Sequence, residues 1–423
     1  MLSYADALGL IDALPVRRAT ERIPVAAASG RVVAEAIRLD RDQPPFDRAT
    51  MDGYAIALPP AGAPPFARYR VVGAVMAGGT FAGRVQPGQA VRIMTGAPCP
   101  AGTTVVPIEA IGRATTDGVE SVSVTDPKML PLSPAERRYL ALRGEDGRAG
   151  AQVIAIGTRL GPVTVSLAAM AGQRELTVFA RPRLAIITTG DELSATVSTS
   201  GSSSPDGRVI DSNGPFLSAF AAALGLDSVR THVPDDADAL LTAIRTAAAN
   251  ADIVVTTGGV SAGDRDLVPP AAAMLGYQTV FHHVAMQPGK PVFLASTDER
   301  TLIGLPGNPV SVIATAHVLL WPLLARWGAV AAPAWRQLPM AVDWRHRGNR
   351  QVFQPARITP MGVEPIAWNG SGDLIAAAAG DCLVDLAPGS NLEVGTMVRV
   401  LPYAGAAAGV ERGILPPRGR ERA

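Results

Sequence analysis

Cysteine is almost missing from this sequence: Cys99 and Cys382 are the only two in 423 residues. Two such distant thiols give no disulfide framework, and neither has a second ligand at metal-binding spacing. Histidine is scarce too, with five in the chain and no H-x-x-x-H pair, so the usual zinc signatures are missing. Charge of one sign is not in excess. With 38 Lys and Arg against 37 Asp and Glu, the formal net charge is +1, and no nucleic-acid or membrane partner is indicated. Long apolar runs are also wanting. The opening "MLSYADALGLIDALPVRRAT" carries acidic residues and no uninterrupted apolar stretch, unlike a signal peptide. The most membrane-like run, "VSVIATAHVLLWPLL" from Val310, is short, is interrupted by His317 and Pro322, and reads as a buried core helix. The expected setting is therefore the cytoplasm, and the length allows two to four domains.

What is abundant is Gly and Pro, 43 and 36 residues, and they cluster into loops such as "ALPPAGAPPFARYR" and "SATVSTSGSSSPDGR". Residues 3–14 have a helical pattern, with Ser3 as N-cap and Leu8, Ile11 and Leu14 on one face. From Val71 to about Glu175, short β-rich runs predict a strand-rich region. The middle third is regular. "RLAIITTG" is a buried-strand pattern, followed by a helix that Asn213 caps and Gly225 ends. Further strands are expected at "SVRTHV", "DIVVTT", "QTVFHHV", "PVFLAS" and "TLIGL". Helices are expected at "ADALLTAIRTAAAN", "LVPPAAAML" and "NPVSVIATAHVLLWPLL". This alternation predicts a mainly parallel sheet covered on both faces. The fold class is thus α/β and multidomain: a segmented strand-rich N-terminal region (1–181, with a β-rich insertion over about 50–145), a doubly wound central domain (182–331) and a C-terminal β domain (332–406). The tail, 407–423, is expected to be disordered. No G-x-G-x-x-G follows the strand at Leu184, which argues against a dinucleotide-binding dehydrogenase.

Ligands of open α/β sheets bind beyond the carboxyl ends of the strands. Four segments are expected there: "TTGDE" (188–192), "PDD" (234–236), "TTGGVSAGDRD" (256–266) and "LPGNP" (305–309). Taken singly, each is as well read as an ordinary turn, and Asp236 as a helix N-cap. Four polar loops on one edge suggest a site. Their chemistry is mixed, because glycine turns and helix N-termini hold phosphate whereas carboxylates repel it. A divalent cation bridging the two resolves the conflict. Glu192, Asp235, Asp264 and Asp266 are candidates for metal binding or for polarising water, and Lys290 in "MQPGKP" for meeting an oxyanion.

The motifs "PPFDRATMDGYAI", "VRIMTGAPCPAG", "LRGEDGRAG", "TTGDEL", "DSNG", "TTGGVSAGDRD", "MQPGKP" and "LPGNPVS" occur in the order seen in molybdopterin molybdenumtransferases. The chain resembles that family, which includes the gephyrin E domain and plant molybdenum-insertion domains, from Ser3 to about Tyr403. The resemblance implies a molybdopterin-binding-like central domain. It implies molybdenum insertion from molybdate into adenylylated molybdopterin, with Mg²⁺-dependent release of AMP. It implies catalytic roles for Asp52, Thr95, Asp146, Glu192, Asp235, Asp266 and Lys290, with Glu192, Asp235 and Asp266 at the metal. Gly190, Ser212, Asn213, Gly258, Gly259, Ser261 and Gly263 would bind substrate, and Pro306, Gly307 and Asn308 would wall the site. Read alone, Asp52 is an N-cap, Thr95 a turn or bulge residue and Asp146 a turn acid. A homodimer is implied as well, each site combining the central domain of one subunit with N-terminal residues of the other. A molybdopterin adenylyltransferase and recipient molybdoenzymes or their chaperones are the expected partners.

The chain departs from the family at several points. Gln287 stands where many members have lysine, His283 where some have another basic residue, and Ala49 where serine is common. Arg143 is all that remains of a richer basic run, and "GTTVV" lacks an acid. Gln287 and Ala49 keep open a second reading, a scaffold that holds molybdopterin or anchors a partner without turnover. A molybdopterin adenylyltransferase is a third, opposed by the "MDGYA" region, since such enzymes resemble the central domain only.

Overall fold

The computed structural model describes residues 1–57, 66–130, 137–194, 209–260, 266–328 and 330–405. Ser261, Gly263, Asp264, most of both expected Gly/Pro/Ser loops and the tail lie outside them. The chain forms two compact units. One comprises Met1–Arg22, Gly30–Ala34 and Thr177–Ala423; the other comprises Ile23–Ser29 and Glu35–Leu176.

The first unit is built on a six-stranded sheet. Its strands are β1 (Leu184–Thr189), β2 (Ser228–Val233), β3 (Ile253–Thr257), β4 (Gln278–His282), β5 (Phe293–Ser296) and β6 (Thr301–Leu305), in the order β2-β1-β3-β6-β5-β4. β2, β1, β3 and β6 are parallel, whereas β5 is antiparallel to both β6 and β4. β4 therefore points the same way as the parallel strands. The reversal of "PVFLAS" was not legible in its apolar run, because a fully buried strand looks alike in either direction.

Alternate residues of these strands feed opposite cores. Ile186, Ile253, Val255, Ile303 and Leu305 join a cluster with α1 (Tyr4–Ala13), α2 (Asn213–Ala223) and the long helix α5 (Pro309–Arg326). Ile187, Val254, Phe293 and Leu302 join one with α3 (Ala237–Asn250) and α4 (Val268–Met274). Burying a residue of this size stabilises by roughly 1.5–3 kcal/mol, so the doubly wound arrangement follows from the apolar runs. α1 is capped as expected, Ser3 Oγ accepting from Asp6 N at 3.1 Å, and it packs with α5 rather than with the strand-rich region that follows it. α2 departs from expectation by one residue: Ser212 is its N-cap, and Asn213 lies in the first turn. α5 is long and apolar enough to cross a membrane, but it is mostly buried in this core. It passes Pro322 by widening into a π turn over Ala316–Leu320, which accommodates the missing N–H and the ring.

The C-terminal part of this unit is a second sheet, with strands Gln351–Thr359, Cys382–Leu386, Met397–Pro402 and Arg336–Pro339 in that order. Its far edge is supplied by Met286–Gln287, paired in parallel with Gln351–Val352. The second unit contains the expected strand-rich fold. Six strands order as Thr103–Pro107, Gly53–Ala57, Gln89–Ile93, Tyr69–Val75, Val119–Val124 and Ile111–Thr116. Beyond these strands, Pro162–Met170 is a helix, opened by Pro162.

Candidate active site

The carboxyl edge of the central sheet gathers the predicted loops of the first unit. The Asn213 amide Nδ2 at the start of α2 donates to Thr257 Oγ1 (3.0 Å) and to the Gly307 carbonyl (2.6 Å). Thr257 Oγ1 donates to the Pro306 carbonyl at 3.1 Å. The loops after β3 and β6 are thus stitched together by one buried amide. Gly258, at φ +92°, leaves no room for a side chain: a Cβ would lie 2.6 Å from Thr189 Oγ1. The glycines after β1 and β3 let these backbones approach, and Gly258 N donates to the Leu305 carbonyl at 3.2 Å, tying the loop after β3 to the end of β6. Ser212 and Asn213 begin α2 on this edge, and Val268 N at the start of α4 donates to the Gly259 carbonyl.

Asp235 N donates to Asp191 Oδ1 at 3.1 Å, and Asp236 is the N-cap of α3, accepting from Ala239 N at 2.8 Å. The Glu192 carboxylate folds back over Gly190, where a Cβ would sit 2.7 Å from Glu192 Oε1. Asp266 faces His282, its Oδ2 lying 3.7 Å from Nε2. Among the described residues, no three His, Cys, Asp or Glu side chains gather to hold a metal ion. Glu192, Asp235 and Asp266 thus do not draw together into one cluster among the described residues. What fits Mg²⁺ here is its commoner mode, one or two carboxylates beside substrate phosphates and water. Glu192 and Asp235, on the neighbouring strand ends of β1 and β2, suit that mode. Asp266 stands apart from them, facing His282, and burial raises its pKa.

Lys290 lies in the turn before β5. Because β5 is reversed, its N-terminal end sits on the ligand edge. The turn lines a pocket of about 400 Å³ with Gln287, Asn308, Arg350, Trp368 and Ser371. Asn308 Nδ2 donates to Ser371 Oγ at 2.9 Å, and Val310 N to the Ser371 carbonyl at 3.0 Å. Among the described residues, the lining carries two cations, Lys290 and Arg350, hydroxyls of Ser311 and Ser371, the N-terminal turn of α5 and no acid. Such a lining suits an oxyanion. Sequence reasoning missed Arg350, Trp368 and Ser371, for they lie in the C-terminal part and only the pairing of 286–287 with 351–352 brings them near. Gln287 lines this pocket, in keeping with its place among the departures from lysine. A larger groove of about 620 Å³ along β1, β2 and α3 is mainly apolar and holds none of the motif residues, so it lacks the convergent polar groups of a reactive site.

In the second unit Asp52 and Thr95 come together: Asp52 Oδ1 accepts from Thr95 N and from Thr95 Oγ1, both at 2.7 Å. The hydrogen bonds from Thr95, backbone first, hold the Asp52 carboxyl below its ordinary pKa. Asp146 is exposed, and its N–H donates to the Gln43 carbonyl at 2.9 Å. Gly53 of "MDGYA" is a packing glycine, since a Cβ there would fall 2.0 Å from the Val106 carbonyl oxygen. Arg143 is paired with Asp42 at 2.8 Å. Ala49 is buried in the core of this unit rather than turned to a ligand, so its difference from serine is a packing matter.

Comparison with known proteins agrees with this geometry. Residues 2–172 match the MoeA N-terminal region (domain I and II), residues 185–326 a probable molybdopterin binding domain, and residues 337–403 the MoeA C-terminal region (domain IV). The chain is 37% identical over 377 residues to a molybdopterin molybdenumtransferase of Synechococcus elongatus, covering 86% of this chain and 89% of that one. It is 33% identical over 329 residues to that of Nostoc sp., covering 76% and 72%. The fold superposes with a TM-score of 0.79 on the molybdopterin biosynthesis MoeA protein from Pyrococcus horikoshii, at 26% identity over 95% of this chain and 100% of that one. Sheet order, edge loops and three matched regions in sequence converge on one conclusion: the chain belongs to the molybdopterin molybdenumtransferase family.

Proposed function

We propose that this enzyme of molybdenum cofactor biosynthesis inserts molybdenum from molybdate into adenylylated molybdopterin, with release of AMP. The observation that carries the reading is the acid-free pocket of Lys290 and Arg350 on the same sheet edge as the glycine turns and carboxylates. An oxyanion and a phosphoanhydride are two substrates, and two differently built sites lie side by side to receive them. Lys290 and Arg350 hold molybdate, with the hydroxyls of Ser311 and Ser371 completing its contacts. The turn at Gly258–Gly259 and the positive end of α2 hold the phosphoanhydride. Two Mo–S bonds form as one molybdate oxygen leaves as water with the two thiol protons; water attacks phosphorus, the anhydride P–O bond breaks, and AMP leaves. A carboxylate among Glu192, Asp235 and Asp266 takes the water's proton.

Mg²⁺, held by Glu192 or Asp235 together with the substrate's phosphates, would neutralise charge on the anhydride. Asp52, Thr95 and Asp146 complete the site in a homodimer. The enzyme works in the cytoplasm between an adenylyltransferase and the recipient molybdoenzymes. The test is to mix purified protein, adenylylated molybdopterin, Mg²⁺ and molybdate. AMP release should accompany reconstitution of an apo-molybdoenzyme; binding of the pterin without AMP release would favour the scaffold reading instead.

A further inference from the structure

Asp266 Oδ1 and His282 Nε2 are both buried, and neither has a hydrogen-bond partner among the described residues. They belong to side chains that face each other, with Asp266 Oδ2 3.7 Å from His282 Nε2. Burying two such groups unsatisfied is unfavourable, so their juxtaposition calls for an explanation beyond packing. The imidazole is also fixed in direction. His283 stacks on it with ring centroids 3.9 Å apart and planes at 13°, and Phe293, its register partner across β4 and β5, meets it edge-on at 5.5 Å. Sandwiched this way, Nε2 is aimed at the carboxyl group. The separation exceeds a hydrogen bond, but catalytic hydrogen bonds of ligand-free enzymes are often long and tighten when substrate binds.

We propose that His282 is the positioning residue of Asp266, and that the two act as one acid–base unit in the release of AMP. The proposal deepens the function above and rests on it. As the attacking water forms its bond to phosphorus and the anhydride P–O bond breaks, Asp266 accepts the water's proton. The bridging oxygen departs with the electron pair. His282 donates its N–H to the carboxylate before the transfer, holding one oxygen toward the water. The aromatic sandwich makes this a property of the present chain: the same two rings that fix His282 would leave a flexible side chain free to turn away.

The experiment compares wild type with His282→Phe, His282→Gln, Asp266→Asn and the Asp266→Asn/His282→Phe pair, following initial rates of AMP release against adenylylated molybdopterin. Phenylalanine keeps the stack and removes the N–H, whereas glutamine places an amide near the Nε2 position. His282→Phe should lower kcat about tenfold to a hundredfold with KM within about twofold, and His282→Gln should recover part of the loss. The double variant should be no slower than Asp266→Asn alone, because members of one unit are non-additive. Thermal melting of each variant identifies any loss caused by unfolding, and for an unfolded variant the Gln–Phe contrast decides. Multiplicative losses, a glutamine no better than phenylalanine, or an effect confined to KM would overturn the proposal. A wild type that releases no AMP would instead overturn the function on which it rests.

Discussion

Acid should unfold the first unit by way of His317. This residue sits in the π turn of α5, fully enclosed beside Phe220 and Tyr403, whose rings lie 5.0 and 5.1 Å from it. Nδ1 pairs with the Ile313 carbonyl at 2.7 Å, and Nε2 accepts from Ala404 N at 3.0 Å. That pattern demands a neutral ring with its proton on Nδ1, since a proton on Nε2 would point at another donor. Burial accordingly depresses the pKa from 6.5 to about 4. The unfolded chain binds the proton near pH 6.5 while the folded one refuses it until about pH 4. The stabilisation is therefore complete above pH 6.5 and is lost as pH falls through the folded value. At about 1.4 kcal/mol for each pH unit separating the folded and unfolded values, the loss approaches about 3 kcal/mol. Urea midpoints of wild type and His317→Gln, measured from pH 7.5 to 4.5, test this. Glutamine does not titrate, so the wild-type curve should fall more steeply by roughly 2–3 kcal/mol over that range. Parallel curves would show that the ring's protonation is not resisted by the fold.

Further outcomes concern the reaction. Gln287→Lys should lower the molybdate concentration for half-maximal cofactor formation, as one added charge at about 4 Å is worth up to roughly 4 kcal/mol before desolvation; an unchanged value would remove Gln287 from the oxyanion's surroundings. Chelating divalent cations should stop AMP release while pterin binding survives, and Glu192→Gln should do the same; full turnover of that variant would exclude Glu192 from the cation's ligands. Asp52→Asn and Asp266→Asn chains, each inactive alone, should recover about a quarter of wild-type activity when co-expressed equally, because half the dimers would carry one intact composite site. Inactive mixed dimers, with the dimer verified by mass in solution, would place both residues in one subunit's site.

The central fold was legible because its inner strands β1, β3, β6 and β5 are buried on both faces and so appear as apolar runs, and its helices carry caps such as Ser3 and Asp236. The edge loops were legible because sharp turns beside a ligand need glycine. Harder to see was anything set by tertiary closure. Asn213 is indistinguishable in sequence from a capping residue, yet its amide bridges two loops. Asp266 stands among other acids in its motif, and only the path of β4 gives it a histidine. Ala49 differs from its relatives at a place that sequence cannot identify as interior. Arg350 stands near two other arginines, Arg345 and Arg347, with no local pattern to single it out.

The parallel pairing of Met286–Gln287 with Gln351–Val352 has a mechanical consequence. The turn bearing Lys290 is anchored at its far end by β5 and at its near end by a strand of the C-terminal sheet, whose preceding residue is Arg350. Both cations of the pocket are thereby clamped before any ligand arrives, and little rotational freedom of the backbone remains to be lost on binding. A hinge between the central and C-terminal sheets could not open the pocket from one side without tearing this short ladder, so the two cations travel together or not at all.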